Sequence, residues 1–132
     1  MPITLKPERQ RSLFAILDIG FADLASGVAG TAIQLPPNAE VVSGSITVNT
    51  VFNSATSDTL SLGDSAAGAR YANAVNLRAL GRTALTVTGY RTLPTTRAIT
   101  ATWTGVGAAP TTGSVRVIVE YLQGHRADLT QD

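Results

Sequence analysis

The chain has 132 residues, 14% of them charged, a formal net charge of +1 and no cysteine. The length suits one domain that can bury a core of its own. The composition excludes disulfides and thiolate metal sites, and the nearly balanced charge argues against nucleic acid, whose binders carry a basic excess.

Residues 1–12 hold Pro2, Pro7 and the charged cluster Lys6, Glu8, Arg9 and Arg11, behind an Ile3/Leu5 alternation. Proline cannot donate to a central ladder, so this segment is expected to be an extended arm. Its Ile3 and Leu5 suit main-chain pairing with a neighbour, and Arg9 and Arg11 suit charge-assisted contacts. Lys6 is the only lysine among ten basic residues, which leaves nine arginines. Arginine favours interfacial ion pairs.

The apolar run Leu13–Leu17 ends at Asp18 and is too short to span a membrane. Glu8 lies between the prolines and the arginines and no clean small-residue cleavage site follows, so no signal peptide is expected. The segment Leu13–Leu24 reads as either strand or helix. Beyond it, strand signals dominate. Ile33 and Leu35 mark a short strand stopped by Pro36-Pro37-Asn38. Ser45–Phe52 places Ile46, Val48 and Phe52 together. Asn53–Asp58 is turn chemistry. Thr59–Leu62 gives Leu60 and Leu62.

Gly63-Asp64-Ser65 opens a longer connection. Ser65–Leu80 has room for a helical turn beside a short strand at Val75 and Leu77. Leu80-Gly81-Arg82 reads as a tight turn, and Thr83–Gly89 as a strand with Leu85 and Val87 inward. Pro94 breaks the next link. In Ile99–Thr104, Ile99, Ala101 and Trp103 share one face. In Ser114–Leu122, Val115, Val117, Val119 and Tyr121 share another. Short strands joined by turns, with almost no helical periodicity, predict an all-β fold. The expected architecture is a single-domain antiparallel β-sandwich or jelly roll over residues 13–123, with an N-terminal arm (1–12) and a polar tail (124–132). Trp103 is expected to plug its core.

Chemistry is sparse. His125, the only histidine, sits in the polar tail, where a triad base has no rigid seat. No GxSxG occurs. Carboxylate and carbonyl oxygens would suit calcium. Neither Asp58 with Asp64 nor Asp18 with Asp23 has the spacing of a calcium loop, and all four read as solvated turn residues. Gly105-Val106-Gly107 lacks the third glycine and the helix of a dinucleotide fingerprint. Glu40 and Glu120 fall in strands, where glutamate usually faces solvent. Tyr71, Tyr90 and Tyr121 are not clustered for sugar binding. No catalytic, cofactor or metal site is therefore expected. The uncharged loop Gly105–Gly113, with Val106, Pro110 and Thr111, loses little hydration or side-chain freedom on contact and is expected to meet a partner.

The blocks FNSATSDTLSLGD, GRTALTVTGY and GVGAAPTTGSVRVIVEYL lie in a region, roughly 33–126, that resembles small virion structural proteins of tailed bacteriophages. The resemblance implies an all-β sandwich or jelly roll on the virion, as a capsid decoration or cement protein. It implies a homodimer or homotrimer bound across phage major capsid protein subunits on the head surface, after assembly in the host cytoplasm. No nucleic acid, membrane or small-molecule substrate is implied. The alternative is a receptor- or glycan-binding module of a fibre or tail, which exposed aromatics around a pocket would favour.

Overall fold

The computed structural model describes residues 11–123. Eight strands follow one another: β1 (Leu13–Gly20), β2 (Ala29–Gln34), β3 (Ala39–Thr50), β4 (Ser57–Gly63), β5 (Ala72–Asn76), β6 (Gly81–Ala84), β7 (Ala98–Val106) and β8 (Ser114–Gln123). Two four-stranded sheets form, ordered β1-β8-β3-β6 and β2-β7-β4-β5, and every pairing is antiparallel. Within these sheets the first strand meets the last, the second the seventh, the third the sixth and the fourth the fifth. That nesting is the jelly roll. The all-β expectation holds, and among the described residues there is no helix.

Period-two alternation explains the layers. Val115, Val117 and Val119 of β8 point inward with Ile46 and Val48 of β3 and Ile19 of β1. Leu60 and Leu62 of β4 and Ile99, Ala101 and Trp103 of β7 face them from the second sheet. Phe52 lies tilted against Trp103, with ring centroids 6.2 Å apart. Gly113 makes that packing possible. Its φ is +146°, and a Cβ there would sit 2.6 Å from the Phe52 ring. Trp103 is 7% exposed, a core plug as its alternation predicts.

Four local expectations need correction. Leu13–Leu24 is strand only to Gly20 and then turns: Asp23 donates its N–H to the Gly20 carbonyl and accepts the Gly20 N–H on its carboxylate. Ser65–Leu80 holds no helical turn; an Asx-type loop on Asp64 leads into β5. Gly81 opens β6 rather than serving as a turn centre, pairing with Val48. Thr83–Gly89 is not one strand either. After Ala84 the chain leaves β3: Leu85 N–H still reaches Gly44, but Thr86 N–H reaches Tyr71, beside the other sheet. The alternation ends there, so Leu85 is buried and Val87 is 46% exposed.

Candidate interaction surface

Asp58 is fully buried, not a solvated turn residue. Its carboxylate accepts from Ser54 N–H (3.0 Å), Ser54 Oγ (2.6 Å) and Trp103 Nε1 (3.0 Å). Arg78 Nη1 lies 3.7 Å away and also donates to the Ser54 carbonyl. Both carboxylate oxygens are engaged, one by Ser54 Oγ and Trp103 and the other by Ser54 N–H, so Asp58 fastens the Asn53–Asp58 bend to β7.

Asp64 is also buried, against expectation. Its carboxylate accepts the N–H groups of Ala66 and Ala67 and takes Arg70 Nε at 2.5 Å. Burial pushes this carboxyl up, but the Arg70 bond and the two amides outweigh it and hold it below the usual range. The Arg70 guanidinium lies 3.5 Å above the Tyr90 ring, whose hydroxyl pairs with Thr96. Tyr71, close by, is pushed up to about 12 by burial first and then by the Asp64 charge. Both aspartates thus act as internal fasteners. The tyrosines are engaged as well: Tyr71 is buried, Tyr90 stacked and Tyr121 partly buried against the core. Glu40 faces Arg91 at 3.7 Å, and Glu120 accepts from Ser12 Oγ. Among the described residues no group of His, Asp or Glu gathers to hold a metal ion.

A cavity of about 210 Å³ opens between β1 and β2, lined by Leu17, Asp18, Asp23, Leu24, Thr31 and Ala101. Its two carboxylates are already occupied. Asp23 accepts Gly20 N–H at 2.6 Å, and Asp18 takes Arg116 Nε at 2.8 Å and Nη2 at 3.2 Å. That exposed pair lowers the Asp18 pKa through the Arg116 hydrogen bond.

The predicted contact residues fall in three places. Ile3, Leu5 and Arg9, like His125, lie outside the described residues. Arg11 is exposed at the start of β1. Val106 (47% exposed), Pro110 and Thr111 sit at the far end, where Phe21 N–H reaches the Gly113 carbonyl just beyond the end of β1. The eight residues of β1 separate Arg11 from that loop, a span of roughly 25 Å at about 3.3 Å per residue. The loop itself is firmly held. Asn53 accepts from the N–H groups of Thr111 and Thr112 and donates to Thr111 Oγ1. Ser26 Oγ bridges to Gly105 across the same end. Phe21 and Val28 are exposed on the neighbouring β1–β2 connection.

Sequence reasoning missed Phe14 and Ile16. They are 62% and 61% exposed on the outer face of β1. Register sets Phe14 beside Glu120, Ile16 beside Ile118 and Asp18 beside Arg116. The result is a small apolar patch with a charged or polar residue at each end, the anatomy of a protein contact. The signal was in the string LFAILDIG, which is apolar on both faces of the strand.

The structure is therefore a jelly roll whose buried charges serve the fold and whose described surface exposes small apolar patches. Chains in three bacteriophage capsid structures are similar to it. One from the cyanophage Pam1 capsid asymmetric unit aligns with a TM-score of 0.67 at 21% identity, covering 93% of this chain and 99% of that one. One from the capsid of Ralstonia phage GP4 gives 0.64 at 23%, covering 93% and 92%. One from the acidic stable capsid of Helicobacter pylori bacteriophage KHP30 gives 0.63 at 18%, covering 85% and 87%. At these identities the likeness is one of fold. No family model and no curated protein matches the sequence.

Proposed function

We propose that this chain is a non-enzymatic structural protein of a bacteriophage virion. Its role is that of a capsid decoration, or cement, protein: a homodimer or homotrimer on the head surface, bound across phage major capsid protein subunits and assembled in the host cytoplasm. The observation that carries this reading is a jelly roll that matches a chain of a phage capsid structure over 99% of that chain. The whole domain, rather than a fragment of it, is what the two share.

The mechanism is added interface. A protein seated across a joint between subunits must be removed, or torn, before the joint opens, so its binding free energy adds to the cost of disassembly. A standard interface of about 1,600 Å² is enough for stable docking. The arm residues Ile3, Leu5, Arg9 and Arg11 and the loop residues Val106, Pro110 and Thr111 are the proposed contacts. A rigid, uncharged loop held by Asn53 docks with little entropy to lose.

The test is binding to phage shells stripped of the protein, followed by electron microscopy of the decorated particles. The expected result is saturable binding and density on the outer head surface. Density confined to the tail or fibres would replace this reading with that of a receptor- or glycan-binding module.

A further inference from the structure

Among the described strands, β1 is the long sheet edge that carries the fewest of the features that keep edges from pairing. It runs beside β8 for eight residues with no register shift, and no strand lies on its other side. The other edges are blunted. β2 shifts register between Thr31 and Ile33. β5 has five residues, an irregular pairing and Ala74 at φ +49°. β6 has four residues. β1 has no proline and no lysine, and its one charge, Asp18, is taken up by Arg116. A regular apolar edge of this length is a template for another strand.

We propose that β1 is a strand-addition site and that its occupant is the segment Ile3–Leu5 of a neighbouring copy. The inference rests on the homo-oligomer reading above and names the surface that receives the arm. Ten residues precede the described structure and lead to Arg11, at the mouth of β1. Ile3 and Leu5 have the same two-residue spacing as Phe14 and Ile16. A strand laid along β1 sets the two apolar pairs side by side on the outer face and widens the patch that Ile118 already extends. Lys6 and Arg9 follow in the segment, and Glu120 stands at the patch margin.

The occupant belongs to another copy because the connection discourages return. Lys6–Ser12, KPERQRS, contains no Gly, Asn or Asp, the residues that supply the positive-φ positions of a two-residue hairpin turn. Pro7 and the surrounding charges favour a chain that runs on, away from its own edge. Each copy then gives an arm and receives one. That head-to-tail contact closes into a ring of two or three.

The chain has no cysteine, so introduced pairs report cleanly. Leu5→Cys protein is mixed with Phe14→Cys protein, and separately with Ile16→Cys protein, then oxidised. An interchain disulfide between the two variants is expected, with Phe14→Cys if the arm runs antiparallel to β1 and with Ile16→Cys if parallel. In parallel, amide exchange of β1 is expected to accelerate at least tenfold when residues 2–7 are deleted. If the mixed single variants give no interchain disulfide while a Leu5→Cys/Phe14→Cys or Leu5→Cys/Ile16→Cys double variant closes one within its own chain, the proposal is overturned, because the arm then covers its own edge. So does β1 exchange that the deletion leaves unchanged. Shell binding is scored separately. Deleted protein that still binds shells with β1 exchange unchanged removes the arm and keeps the virion role. Intact protein that cross-links as stated but ignores shells removes the virion role and keeps the arm.

Discussion

Trp103 donates its indole N–H to Asp58 at 3.0 Å, and the two residues are 45 positions apart in the chain. Both are buried. The bond joins Trp103 of β7 to Asp58, the second residue of β4, in adjacent strands of one sheet. It satisfies the one polar atom of the largest core side chain and, at the same oxygen, anchors Ser54.

Replacing Asp58 with alanine removes a shared acceptor from three donors and leaves Arg78 without its counter-charge. The expected loss is about 3 kcal/mol of unfolding free energy. Urea titration followed by Trp103 fluorescence measures it. A loss below about 1 kcal/mol would mean that the network is not a fastener.

Stability should fall on the acid side through Asp64. Its folded-state pKa is depressed by Arg70 and the Ala66 and Ala67 amides despite its burial. The contribution is therefore complete above the unfolded value near 3.8 and disappears as pH drops through the lower folded value. Asp64→Asn should flatten the acid limb of a melting-temperature profile between about pH 5 and 2. An unchanged limb would assign acid sensitivity to other carboxylates.

Tyr71 makes the opposite case. Its hydroxyl is buried and finds no hydrogen-bond partner among the described residues, and its pKa is pushed up to about 12 from an ordinary 10.0. The fold therefore disfavours the phenolate, and stability declines as pH rises from 10 towards 12. Tyr71→Phe should remove that alkaline decline and be neutral or stabilising by up to about 1 kcal/mol at pH 7. A destabilisation beyond about 1 kcal/mol would show that the hydroxyl has a partner after all.

Asn53→Ala should release the loop. This one side chain accepts the N–H groups of Thr111 and Thr112 and donates to Thr111 Oγ1. Faster amide exchange at Thr111 and Thr112 is expected, with a loss of about 1–2 kcal/mol in global stability. If the loop is the docking surface, shell binding weakens as well, because an unfastened loop must be ordered on contact.

Deleting residues 2–11 should leave the melting of the jelly roll nearly intact, since all eight described strands lie beyond the cut. Self-association or shell binding should weaken at least tenfold, about 1.4 kcal/mol. Sedimentation of the truncated chain and its titration onto stripped shells test this together. No change in either would make the loop around Val106, Pro110 and Thr111 the main contact.

Much of the fold was legible because β7 and β8 alternate cleanly, and alternation depends only on neighbours in sequence. Trp103 as a core plug followed from the same pattern. Asp58 was not legible. In the string NSATSD it looks like any turn aspartate, and its burial depends on Trp103 and Arg78, both remote in the chain. Val87 failed for a related reason: the alternation continues in sequence after the strand has stopped in space. The exposed pair Phe14 and Ile16 was visible as letters, but only the sheet order shows that β1 is an edge among the described strands.

The nesting of first strand with last also orders events during synthesis. β1 leaves the ribosome before its partner exists, because Leu13 pairs with Tyr121 and Gly20 with Ser114. Neither sheet can close until β7 and β8 have been made. Contacts of such long sequence separation place this topology among slow folders, on the scale of milliseconds to seconds. Through that interval the nascent β1, apolar on both faces, has only chaperones or other nascent chains to meet.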